Sequence, residues 1–104
     1  MICKRCKVKT ENVEREIEHF LEITEEGAEN DWDIFTTNAE RRLLMAYFTY
    51  LADNQKALTF GEVYKLLIEN TVVDNKYYDE FTESEGVKED YIRDNLIKRF
   101  DYLD

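Results

Sequence analysis

"LLMAYFTYLA", residues 43–52, is the stretch on which the fold turns. None of its ten side chains is charged. It falls well short of the roughly 20 apolar residues that span a bilayer, and it has the length of a core helix. From Leu43 to Leu51 it is apolar nearly all round. A helix wet on one side keeps a polar face, so this one is expected at the centre of the domain. Thr37 with Glu40 three residues later has capping-box spacing, which predicts a helix opening at Thr37 and running to about Asp53.

Three further helices follow from the same rules. Val13, Ile17 and Phe20/Leu21 form a narrow apolar stripe over about Glu11–Glu26, with Thr10 as the expected N-cap and Gly27 as the stop. Thr59 and Glu62 repeat the start signal, and Phe60, Val63, Tyr64, Leu66, Leu67 and Ile68 make the inner face of a helix that frays at Asn70. Ile92, Leu96, Phe100 and Leu103 recur at helical spacing in a last helix from near Gly86, widened by Val87, Tyr91 and Ile97. Residues 28–36 are read as a connection pinned by Trp32, Ile34 and Phe35. "TVVDNKYYDEF", residues 71–81, fits either a hairpin turning at Asp74-Asn75 or a loop with a short helix, and the second is preferred because two strands without a sheet are marginal.

The expected fold is therefore mainly α: one domain over residues 1–104, a bundle of about four helices with at most a minor hairpin near 71–81. The absence of proline and the presence of only three glycines agree with long helices. A hydrophobic fraction of 43% with 13% aromatics is too high for a disordered acidic tail, even at a net charge of −10. No apolar segment follows the basic N-terminus, so a signal peptide is not expected, and the reading is cytoplasmic.

Charge is segregated. Residues 1–9 carry +4, residues 10–40 carry −10, residues 41–70 carry +1 and residues 71–104 carry −5. The basic stretch holds the only two cysteines, Cys3 and Cys6, in the run "MICKRC". In a reducing compartment they are expected as thiols or metal ligands rather than as a disulfide. Cys3-x-x-Cys6 is half of a zinc site, and His19 follows at the spacing of a third ligand. No second His follows to supply a fourth ligand, so the candidate metal set is Cys3, Cys6 and His19, closed by Glu22 or by a second chain. The plainer reading is a frayed N-terminus with a surface histidine. A thioredoxin-type dithiol is disfavoured because no strand precedes it.

Enzyme signatures are absent: there is no glycine-rich phosphate loop, no calcium loop, and a single His beside the lone Ser84. The chain is read as non-enzymatic, with no cofactor beyond a structural zinc.

Two stretches, "LTFGEVYKLL" and "GVKEDYIRDNLIKRF", resemble the helices of a helix-turn-helix, the second bearing Lys88, Arg93, Lys98 and Arg99. Glu89, Asp90, Asp94 and Asp101 interrupt those cations, and about eighteen residues separate the stretches, so direct nucleic-acid binding is not expected.

The functional expectation rests on acidity. Glu11, Glu14, Glu18, Glu22 and Glu25 share one outer strip of the first helix, and Glu29, Asp31, Trp32 and Asp33 continue it. An aromatic amid carboxylates suits a protein-binding hot spot with an electrostatic rim. The expected partner is a basic, nucleic-acid-handling protein or nuclease. Phage-type inhibitors such as anti-CRISPR proteins and DNA mimics, and toxin-immunity proteins, work in this way. The alternatives are a transcription-linked regulator with a zinc-knuckle-like N-terminus, and an assembly domain pairing through Tyr77–Phe81.

Overall fold

The computed structural model describes residues 4–25, 34–69 and 89–103. A 3₁₀ turn, Thr10–Asn12, precedes four α-helices: α1 Val13–Ile23, α2 Ile34–Asp53, α3 Phe60–Ile68 and α4 Glu89–Leu103. No strand occurs among the described residues, and the expected small helical bundle is the fold found. The proposed hairpin near 71–81, the Gly27 stop and the Tyr77–Phe81 pairing segment lie outside the described residues.

α2 is the central element and touches the other three helices. Leu43, Leu44, Ala46, Tyr47, Phe48 and Leu51 are all buried, as the near-continuous apolar run requires. Each helix contributes one phenylalanine to the middle of the core. Phe20 stacks on Phe60 with centroids 5.1 Å apart, Phe100 lies 4.7 Å from Phe20, and Phe48 meets Phe60 edge-on at 5.2 Å. Burial of each such side chain contributes roughly 1.5–3 kcal/mol, and the ring geometry adds to it. Four helices that share one aromatic cluster cannot shift independently, which fixes the exposed faces relative to each other.

α3 starts as expected: the Glu62 amide donates to Thr59 Oγ1 at 3.0 Å. Ile68, expected on its inner face, is instead 54% exposed. α1 is not capped by Thr10, which belongs to the 3₁₀ turn; that turn forms because the Asn12 amide reaches the Lys9 carbonyl at 2.8 Å. α1 ends at Ile23, before Gly27, where both the Thr24 amide and the Thr24 hydroxyl donate to the Phe20 carbonyl. α2 begins at Ile34, so Thr37 is already inside the helix and the expected connection gives up its last residues to it. Glu40 is not the far half of a capping box; it lies fully buried against Arg99.

α2 closes with a left-handed residue. Gln55 has φ 57°, the Lys56 amide donates to the Leu51 carbonyl at 2.9 Å, and the Gln55 amide donates to Ala52 at 3.1 Å. This is a Schellman arrangement with glutamine where glycine is commonest.

Candidate functional site

The first turn of α1 carries Glu14 and Glu16, a placement that complements the positive end of the helix dipole. Val13, Ile17, Phe20 and Leu21 bury the opposite side. The helical repeat then carries Glu14, Glu18 and Glu22 up one line, with Glu11 before it and Glu25 after it, all five exposed. The sequence strip is thus a real surface along α1. Glu29, Asp31, Trp32 and Asp33 lie outside the described residues.

One member of the strip has a structural duty that periodicity did not reveal. Glu18 accepts hydrogen bonds from Arg41 of α2, through Nε and, at 3.0 Å, through Nη2. Arg41 Nη1 also donates to Asn38 Oδ1 at 2.5 Å. The Glu18 hydrogen bond raises the Arg41 pKa from its ordinary value. Glu18 therefore clamps α1 to α2, while Glu11, Glu14, Glu22 and Glu25 are exposed and take no part in that hydrogen-bonded clamp.

A second ion pair is wholly internal. Arg99 Nε donates to Glu40 Oε2 at 2.7 Å and Nη2 to Oε1 at 3.1 Å, a side-on bidentate pair. Its Nη1 turns to the end of α1, donating to the Leu21 carbonyl at 2.8 Å and to Thr24 Oγ1 at 3.1 Å. One guanidinium thus joins α1, α2 and α4 and satisfies a carbonyl at the negative end of α1. Burial pushes the Glu40 carboxyl above its ordinary value, and the Arg99 hydrogen bond and charge pull it only part of the way back.

Arg93 is buried too, with Nε 3.3 Å from the Tyr47 hydroxyl. Two of the four cations that gave the last helix its resemblance to a DNA reader are therefore inside the protein. The hydrophobic stripe predicted the buried Ile92, Leu96 and Phe100 but not Arg93, Asn95 and Arg99 beside them. Only a spare buried carboxylate, Glu40, could have signalled Arg99.

The basic N-terminal segment is docked rather than frayed. The Val8 amide donates to the Leu58 carbonyl at 2.7 Å, and the Gly61 amide in the first turn of α3 donates to the Lys4 carbonyl at 2.9 Å. Lys4 Nζ sits 5.2 Å from the centre of the Tyr64 ring, a cation–π contact. The approach requires glycine at 61, since a Cβ there would lie 2.9 Å from the Lys4 carbonyl oxygen.

Cys6, on this segment, is disulfide-bonded, which corrects the expectation of a thiol. A disulfide sulfur offers no thiolate to a metal. Cys3 lies outside the described residues, and His19 is exposed on α1. Among the described residues no group of three or more His, Cys, Asp or Glu side chains is placed to hold a metal ion. None of the described helices is long and apolar enough to cross a membrane. Compared with protein-family models, curated proteins and solved structures, the chain matches none.

Proposed function

We propose that this chain is a non-enzymatic binding protein whose acidic α1 face occupies a basic surface on a nucleic-acid-handling protein. The observation that carries the reading is the line of exposed carboxylates on a helix whose other side is locked into the shared core. Carboxylates held on a rigid helix stand in for phosphates with no backbone ordering at binding, and their field speeds docking with a cationic surface. Phage-type inhibitors such as anti-CRISPR proteins and DNA mimics, and immunity proteins of nuclease toxins, are the settings in which such a face is used. The clamp between Glu18 and Arg41 supports the reading by keeping the strip in register with the rest of the molecule.

The test uses Glu14→Lys with Glu22→Lys, which spares Glu18 and so the clamp. Immobilised wild-type protein is expected to retain a basic nucleic-acid-binding partner at about 50 mM salt and to release it at about 500 mM, as the Debye length falls from roughly 14 to 4 Å. The double variant is expected to keep its helical spectrum and lose the partner. Equal retention by the variant, or an acidic partner, refutes the proposal.

A further inference from the structure

The N-terminal segment forms a cationic ridge on a protein that is otherwise acidic. It runs antiparallel to residues 58–61, since Val8 pairs with Leu58 and Lys4 with Gly61. That pairing brings two other lysines to the same edge. Lys56 stands two residues before Leu58, and Lys65 stands one helical turn beyond Gly61, on the side of α3 that faces the segment. Val8 turns inward against the core, so Lys7 and Lys9 on either side of it point outward. Arg5, Lys7, Lys9, Lys56 and Lys65 are all exposed. Lys4 is spent on Tyr64.

These five cations differ from the two arginines that tie the helices together. Arg41 and Arg99 each hold a carboxylate in a bidentate grip. None of the five makes an ion pair or a side-chain hydrogen bond with any described residue. Side chains shed in this way from a chain with 24 acidic residues keep their charge available to an outside anion. The protein measures 32 × 30 × 25 Å, several Debye lengths across at roughly 8 Å in physiological salt. Carboxylates on the far side of the fold are therefore screened from the ridge, and its five exposed cations outnumber Glu11, Asp53, Glu62 and Glu69, the acids that neighbour them in sequence.

We propose that this ridge binds the phosphate backbone of a nucleic acid without sequence preference. Four of the five cations are lysines, compact point charges that suit phosphates and offer no planar fork for reading a base or gripping a carboxylate. The docked backbone fixes where Arg5, Lys7 and Lys9 leave the surface, so no backbone ordering of the segment is required on binding. The expectation against nucleic-acid binding concerned the acids among the cations of the last helix, and the ridge uses none of those cations. The proposal stands independently of the acidic-face reading, because it concerns different residues and a partner of opposite charge.

The experiment is a fluorescence-anisotropy titration of a labelled single-stranded oligonucleotide of about 20 nucleotides with the full chain at about 20 to 200 mM salt. The expected result is binding at the lowest salt, with log K falling against log salt at a slope of about −3, as for four to five neutralised phosphates on a single strand. Arg5→Gln with Lys7→Gln and Lys9→Gln is expected to weaken it at least about tenfold while the melting temperature stays unchanged. A second variant, Lys56→Gln with Lys65→Gln, leaves the segment untouched and is expected to weaken binding less but measurably. Absence of binding at about 20 mM salt overturns the proposal, as does unchanged binding by both variants. If poly-glutamate of similar length competes as well as unlabelled oligonucleotide, the ridge is a site for acidic protein and the assignment to nucleic acid fails.

Discussion

Arg99 of α4 grips Glu40 of α2 side-on, at 2.7 and 3.1 Å, and reaches past it to the Leu21 carbonyl near the end of α1. Neither residue is more than 1% exposed. The pair is expected to be worth far less than the cost of halving it, because two desolvated charges barely repay their lost hydration. Arg99→Met or Glu40→Met alone should each cost about 3–5 kcal/mol, by stranding the other partner. The double replacement should cost much less than the sum. Urea melts of the four proteins form the cycle that checks this, and simple additivity would show that the two charges do not act as a unit.

The same pair sets the sign of a pH dependence. The folded-state pKa of Glu40 lies above its ordinary 4.5, so its contribution is fully present below that value and is lost as pH rises through the raised one. Self-repulsion at a net charge of −10 acts in the same direction. The melting temperature is therefore expected to rise as pH falls from about 8 towards the ordinary carboxyl value of 4.5. Glu40→Gln should flatten part of that rise. A melting temperature that falls steadily over this range would contradict the assignment.

Gly61→Ala should break the docking of the N-terminal segment. In an ordinary helix this change gains about 1 kcal/mol from propensity. Here the new Cβ would stand 2.9 Å from the Lys4 carbonyl oxygen, a backbone atom, so the segment must move. Hydrogen exchange should report a faster Val8 amide, with α2 amides unchanged. Protection of Val8 that survives the substitution would show that the segment is held by something other than the Gly61 contact.

Gln55→Gly should stabilise the chain. Gln55 sits at φ 57°, a conformation that crowds a Cβ and that glycine adopts without cost. A gain of about 0.5–1 kcal/mol is expected, equivalent to a rise of roughly 2–8 °C in melting temperature for a domain of this size. Thermal unfolding measures it directly. An unchanged or lowered value would mean that the unfolded chain gains as much freedom from glycine as the turn gains in relief.

Patterning along the chain was enough to determine the helical class, the central position of Leu43–Leu51, the Thr59 cap and the exposed carboxylate strip of α1. Each of these depends on residues within one or two helical turns, where the repeat alone decides which side chains share a face. Tertiary structure decided the rest. Thr37 and Glu40 have the spacing of a cap, yet Glu40 goes to a partner 59 residues away because a buried guanidinium needs a carboxylate more than an amide does. Glu18 looked like one more solvated acid until Arg41 on the next helix came within reach. The N-terminal segment looked frayed because its hydrogen bonds go to Leu58 and Gly61, more than forty residues on. Local periodicity carries no information about which distant backbone groups will need partners, and the folding of the chain upon itself supplied them.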